Sequence, residues 1–114
     1  MSYQQDSIDW QAIANIDRWL DSAVADEYKG QPLAQDWARL SKIGEEYGEA
    51  VNAFIGLTGQ NPRKGVYATA ANVHNELADV VFTAILCMQH LIGDTQSVKD
   101  ILRSRLAAIE KRIP

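Results

Sequence analysis

The sequence predicts an all-α protein built from four helices. Apolar residues recur every three or four positions in four segments, and no segment alternates with a period of two over the length of a strand. Turn-forming residues separate the segments, most clearly in GLTGQNPRKG at 56–65. With 114 residues, 46% of them hydrophobic, the chain has the size and composition of one globular domain. We therefore expect a single helical domain over residues 1–114.

The first two helices follow from their apolar residues. We expect the first helix to be capped by Asp6 or Ser7 and to end near EYKGQP at 27–32. The second is predicted at 33–55 and is interrupted by two glycines, which favour close approach of another backbone or a ligand. It carries one apolar stripe, formed by Leu33, Trp37, Leu40, Ile43, Tyr47, Val51 and Phe54.

The third and fourth helices are predicted at 68–92 and 97–112. In VVFTAILCM at 80–88, apolar residues face almost every direction of the third helix, so it should be buried on all sides. A four-helix chain of this length has difficulty covering such a helix. We therefore expect part of its surface to pack against a second subunit across a two-fold axis.

Charge and cysteine content exclude several classes of protein. A formal net charge of −4 and a pI near 5.0 give no basic field for a nucleic-acid polymer or an anionic membrane. Cys87 is the single cysteine, which excludes an internal disulfide. The first ten residues do not resemble a signal peptide, and no segment approaches the length of uncharged apolar sequence that a bilayer requires. The predicted location is the cytoplasm.

Two pairs of carboxylates are the candidate metal ligands. In KIGEEYGEA, Glu46 and Glu49 are three residues apart, and Glu76 and Asp79 repeat this spacing in HNELADVV. If the connecting loop makes the two helices antiparallel, the four carboxylates converge and cannot all stay ionised without a cation. An all-oxygen ligand set suits Mg²⁺, with Mn²⁺ as a substitute. Such a site commonly receives phosphates, which predicts hydrolysis of a phosphoanhydride with Glu45 activating the water.

The order of these motifs resembles a known family. EEYGE at 45–49 followed by ELAD at 76–79 is similar to the E-E-x-x-E…E-x-x-D pattern of MazG-like nucleoside triphosphate pyrophosphohydrolases, in the all-α NTP pyrophosphatase superfamily. The resemblance covers roughly the middle half of the chain. It implies a four-helix protomer in a homodimer or homotetramer, Mg²⁺ dependence, and cleavage of a nucleoside triphosphate to monophosphate and pyrophosphate in nucleotide-pool house-cleaning.

The resemblance also implies roles for individual residues. Glu46, Glu49, Glu76 and Asp79 correspond to the metal ligands, and Glu45 to a water activator or a ligand of a further metal. Many relatives have a lysine and an asparagine in the last helix that contact phosphate, whereas this chain offers basic residues there, including Arg103, without the asparagine.

Other candidate substrate contacts have simpler alternatives. Trp37 could stack on a nucleobase or pack in the core. Arg63 and Lys64 could close over a triphosphate or lie in a solvated turn. The acidic residues themselves could be exposed charges or form an intrahelical bridge such as Lys42–Glu46.

Two rival functions remain from the sequence. Hydrolysis of phosphoribosyl-ATP belongs to the same superfamily and needs a site for an extra ribose phosphate. From a different class, the chain could be a catalytically idle helical dimer that acts as a binding or regulatory module. Added Mg²⁺ would stabilise a true metal site but not the idle bundle.

Overall fold

A computed structural model of the chain describes residues 8–114. The helices are α1 (Trp10–Ser22), α2 (Pro32–Thr58), α3 (Ala70–Ile92) and α4 (Thr95–Glu110), with a short 3₁₀-helix at Asp26–Tyr28. No strand occurs in residues 8–114. The all-α prediction and the four helices are confirmed for this part of the chain.

The first helix is shorter than predicted at its C-terminal end. It ends at Ser22 with Ala23 as its C-cap, and Ala25 then adopts an extended conformation before the 3₁₀-helix. At the other end, the Asp9 carboxylate accepts a hydrogen bond of 3.0 Å from the amide of Ala12 and caps the helix. The caps expected at Asp6 and Ser7 lie outside the described residues.

The other three helices lie within three residues of their predicted bounds. Pro32 occupies the first turn of α2, where its missing N–H leaves no helical hydrogen bond unmade. Gly59 (φ 66°) ends α2 and Gly93 (φ 78°) ends α3, both in the left-handed conformation that glycine adopts without strain.

Side-chain caps start α3 and α4. Thr69 and Asn72 form a reciprocal capping box at the start of α3, each side chain bonding to the backbone of the other residue. The Asp94 carboxylate accepts a hydrogen bond from the Ser97 amide at the start of α4. Hydrogen bonds from Ser97 lower the pKa of Asp94, so this cap carries its charge under ordinary conditions.

Helices α2 and α3 form an antiparallel hairpin, as the loop length predicts. His90, near the end of α3, lies 2.8 Å from the carboxylate of Asp36, near the start of α2. At the other end the carbonyl of Gly56 accepts a 2.9 Å hydrogen bond from the Tyr67 amide. Small side chains are buried along the contact and allow the helices to approach closely. They are Ala50, Ala53, Gly56 and Cys87.

The small apolar core lies where α1, α3 and α4 meet. Ile13, Ile85 and Val98 are buried there, one from each helix. Partly buried side chains complete this cluster, namely Trp10, Leu86, Met88 and Leu102. Burial raises the pKa of the Cys87 thiol, as expected of a structural cysteine rather than a nucleophile.

The predicted apolar stripe of α2 does not lie in this core. Leu33, Trp37, Tyr47 and Phe54 are 82%, 67%, 61% and 53% exposed. The face of α2 that contacts α3 carries Ala50 and Ala53 instead, because close packing of the hairpin selects small side chains. Core packing of Trp37, one of its two predicted roles, is therefore wrong within the protomer.

Helix α3 is also less buried than an entirely apolar helix should be. By length and composition, α3 is apolar enough to cross a membrane, since an 18-residue window within it has a mean hydropathy of 1.2. The helix includes Glu76 and Asp79, whereas the expectation concerns an uncharged apolar stretch, so the expectation stays a prediction. One such helix is weak evidence for a membrane span, because core helices of other proteins meet the same criterion.

Candidate metal centre

Three of the four predicted ligands come together between α2 and α3. Carboxylate oxygens of Glu46, Glu49 and Glu76 all lie within 4.8 Å of one another. The i,i+3 spacing places Glu46 and Glu49 on one side of α2, and the antiparallel hairpin brings Glu76 of α3 opposite them. Three negative charges at this separation repel one another unless a cation or protons compensate.

Glu76 shows that the compensation is incomplete. Its Oε2 atom is buried and has no hydrogen-bond partner in residues 8–114. A buried carboxylate oxygen without a partner loses its hydration with nothing in exchange. Glu76 belongs to the acidic group, so a cation bound there could supply the missing partner.

The arrangement disfavours the ionised form of Glu46. Its side chain is only 13% exposed. Burial raises the pKa of the Glu46 carboxyl, and the negative charges of Glu49 and Asp79 raise it further. Lys42, whose ammonium lies 3.7 Å from Glu46, opposes this rise and does not cancel it.

Asp79 lies at the edge of the group. It is exposed and is not among the three carboxylates within 4.8 Å of one another, yet its charge acts on Glu46. The structure therefore brings together three carboxylates with Asp79 beside them, rather than the four converging carboxylates that the sequence predicts.

Glu45 is not one of the three clustered carboxylates. Its side chain is exposed and forms a 3.0 Å ion pair with Lys42. The hydrogen bond to Glu45 raises the pKa of Lys42, so the ammonium remains charged. The predicted bridge between Lys42 and Glu46 is present as the longer arm of this ion-pair group. Lys42 thus links Glu45 to the acidic group through its ion pairs with Glu45 and Glu46.

The remaining predicted substrate contacts do not converge on the acidic group. Trp37 lines a groove with residues at the start of α2, more than two helical turns before Glu46. Arg63 and Lys64 lie in the loop after α2, which begins about 15 Å along the helix axis from Glu49. Lys64 sits over the ring of Tyr67, 5.9 Å from its centroid.

Arg103 is engaged elsewhere. It lies on α4 and pairs with Asp100 of the same helix at 3.4 Å, with both side chains largely exposed. This contact is an ordinary surface ion pair between residues three apart.

A second polar group joins α1 to the hairpin, and the sequence does not predict it. Arg39 of α2 bonds to the carboxylates of Asp17 and Asp21 at 3.1 and 2.9 Å. His90 contacts Asp21 and Asp36 through its two ring nitrogens at 3.0 and 2.8 Å. The sequence contains a weak signal, since Asp17 and Asp21 are four residues apart on one helix face. Nothing in the sequence predicts which basic residue meets them.

Searches against protein-family models, curated proteins and solved structures find no match to this chain. The interpretation of the acidic group therefore depends on its motif and its geometry.

Proposed function

We propose that the chain is a Mg²⁺-dependent, MazG-like nucleotide pyrophosphohydrolase that cleaves a nucleoside triphosphate to a monophosphate and pyrophosphate. The observation that carries the proposal is the buried, unpartnered Oε2 of Glu76 beside Glu46 and Glu49. An exposed acidic helix face would leave every carboxylate hydrated and would not need to enclose one. The MazG-like order of EEYGE and ELAD supports the same assignment.

The donor set fits a hard divalent cation. Glu46, Glu49 and Glu76 supply only carboxylate oxygens, with Asp79 close by, and no histidine or cysteine takes part. Oxygen ligands of this kind favour Mg²⁺ or Mn²⁺ over Zn²⁺. These residues would hold the ion, which supplies positive charge against the phosphate chain of the substrate.

Two further residues of the chain serve the hydrolysis. Glu45 lies outside the buried group and keeps a carboxylate available to orient water and accept its proton. Lys42 positions Glu45 through their 3.0 Å ion pair. Proton transfer to a positioned carboxylate contributes about 10²–10⁴ to the rate of such reactions.

The proposal includes the expected homodimer or homotetramer and a house-cleaning role in the nucleotide pool. Both come from the resemblance, and the dimer comes also from the apolar surface of α3. The substrate base and sugar are open, and phosphoribosyl-ATP is included among the candidates.

The test is a screen of canonical and modified nucleoside triphosphates and phosphoribosyl-ATP with Mg²⁺ or Mn²⁺, in which pyrophosphate and orthophosphate are measured separately. We expect pyrophosphate from one or a few nucleotides, and its loss in Glu49→Gln. Glu110→Gln, which neutralises an exposed glutamate at the end of α4, is the matched control and should retain activity. If no nucleotide yields more pyrophosphate than Glu49→Gln, the enzyme proposal is wrong and the binding-module alternative takes its place.

A further inference from the structure

We propose that His90 holds the C-terminal half of α1, residues 16–22, against the hairpin only while its ring is protonated, so that this half of α1 is released as the pH rises. The ring lies between two carboxylates from different helices. Its Nδ1 is 3.0 Å from Asp21 of α1, and its Nε2 is 2.8 Å from Asp36 of α2. The inference concerns how α1 is held and does not depend on the proposed hydrolysis.

Both contacts of His90 are hydrogen bonds only if both ring nitrogens carry a hydrogen. A neutral imidazole has one N–H group and one lone pair, and an ionised carboxylate can only accept. In a neutral ring, one nitrogen would therefore present its lone pair to a carboxylate oxygen. Aspartic acid is ordinarily a much stronger acid than the histidine side chain, so the additional proton resides on the ring. The geometry thus describes an imidazolium that donates to Asp21 and Asp36.

The charges in the second polar group favour the same protonation state. Asp17 and Asp21 of α1 and Asp36 of α2 supply three carboxylates, and Arg39 bonds to the first two at 3.1 and 2.9 Å. With His90 protonated, the group holds two positive charges against three negative ones. Without this proton, it holds one positive charge against three.

The surroundings of the ring add no other charge. Only 12% of the His90 side chain is exposed, so water has little access to replace a lost hydrogen bond. Cys87 lies one turn earlier on α3, and because burial raises the pKa of its thiol, it is uncharged near neutral pH. Within residues 8–114, no hydrogen bond or ion pair joins the ring to α4.

The two halves of α1 are held differently. Trp10 and Ile13, in the first half, pack in the core with α3 and α4. In the C-terminal half, Ile16 is 45% exposed and Trp19 is 64% exposed. A cleft of about 380 Å³ lies between this half and the hairpin. The attachment of the C-terminal half therefore depends more on its two aspartates than on apolar burial.

The direction of the pH effect follows from these contacts. Both hydrogen bonds of His90 are made while the ring is protonated, and one is lost as the pH rises through the range in which histidines ordinarily titrate, about pH 5–8. A hydrogen bond to a charged group contributes enough to change a local opening equilibrium about tenfold or more. Arg39 keeps its charge throughout, and the first half of α1 stays packed, so α1 should open locally while the remaining helices stay folded.

The experiment is hydrogen exchange of the full chain, measured by NMR between about pH 5 and about pH 8 and corrected for the intrinsic exchange rate. Relative to α4, we expect the amides of residues 16–22 to lose about tenfold or more of their protection as the pH rises. His90→Gln should remove this pH dependence, because the glutamine amide does not titrate. His74→Gln is the matched control and should retain it, because His74 is exposed on the same helix and lies outside the polar group.

Two further measurements cover the case in which His90→Gln does not fold. ¹⁵N NMR of the native chain should show hydrogens on both ring nitrogens of His90 while residues 16–22 are protected. In Asp36→Asn the side-chain amide can donate to a neutral ring, so residues 16–22 should keep their protection at the higher pH.

Four results would overturn the proposal. They are protection of residues 16–22 that does not change with pH in the native chain, a neutral His90 ring in the protected state, an unaltered pH response in His90→Gln or Asp36→Asn, and loss of the response in His74→Gln.

Discussion

The two polar groups of this protein use similar residues and differ in how their charges are compensated. Asp17, Asp21 and His90 lie as close together as Glu46, Glu49 and Glu76, with donor atoms within 4.8 Å in each group. In the first group Arg39 and His90 bond to the carboxylates, so the network is closed by the chain itself. In the second, the buried Oε2 of Glu76 has no hydrogen-bond partner in residues 8–114, and the Lys42 ammonium lies 3.7 Å from Glu46.

This difference separates a structural network from a candidate metal centre. Both groups would pass a search based on the proximity of acidic side chains alone. The closed network ties α1 to α2 and α3, since its members come from all three helices. The open group holds three carboxylates against the single ammonium of Lys42 among the described residues, and a divalent cation is the simplest species to balance the remaining negative charge.

The largest expected effect tests whether the open group is catalytic. Glu76→Gln should reduce pyrophosphate release at least about 100-fold, since even residues that only support a metal ligand commonly contribute 10–100-fold. Steady-state assay on the best nucleotide from the screen measures this, and far-UV circular dichroism checks that the helices are retained. Unchanged activity in Glu76→Gln would show that the buried carboxylate is not part of the catalytic site.

The next effect tests whether the closed network is structural. Arg39→Met leaves Asp17 without its ion pair, and both side chains are only 14% exposed, so we expect a loss of about 2 kcal/mol in the free energy of unfolding. Urea denaturation measures the loss. Arg103→Met is the control, because its ion pair with Asp100 is exposed and should contribute less than about 1 kcal/mol. Equal costs for the two variants would contradict the structural role of Arg39.

Mg²⁺ should distinguish the two groups directly. At ten times its dissociation constant, an ion that binds only the folded state stabilises it by about 1.4 kcal/mol. We expect Mg²⁺ to raise the Tm of the native chain and of Asp21→Asn, in which the closed network is altered. Glu49→Gln should show no such rise. If the Mg²⁺-dependent rise in Tm disappeared in Asp21→Asn and persisted in Glu49→Gln, the ion would bind the Asp17–Asp21–His90 group instead, and the proposed metal centre would be wrong.

The smallest effect concerns the charge of Glu46 without metal. Its pKa is raised above the ordinary 4.5, so the folded chain holds this proton more tightly than the unfolded chain. Ionised Glu46 therefore opposes folding increasingly as pH rises through the interval between the two pKa values. In a chelating buffer, Glu46→Gln should have a slightly higher Tm than the native chain at neutral pH and none of this advantage near pH 4. If Glu46→Gln differed in Tm from the native chain by the same amount at every pH, the effect would not come from the charge of Glu46.

Most of the helices and the identity of the acidic residues could be predicted from local sequence. Helix ends depend on residues within a few positions, such as Pro32 before α2 or Gly93 after α3, and these signals are visible in the chain. The end of α1 was predicted too late because the apolar spacing continues beyond Ser22 while the backbone does not. The spacing of Glu46 with Glu49 and of Glu76 with Asp79 likewise fixes which side of each helix they share.

The sequence by itself determined the all-α class, the hairpin connection and the two carboxylate pairs, because each depends on contacts between residues close in the chain. Only the tertiary structure decided that the Oε2 of Glu76 is buried without a partner, that Arg39 closes the other acidic group, and that the longest apolar stripe of α2 faces outward. These outcomes depend on the rotation of α2 about its axis. That rotation follows from the packing of the small residues Ala50 and Ala53 against α3. The residue spacing of α2 is compatible with packing through either the large apolar stripe or the small residues, so it does not specify which of the two faces α3.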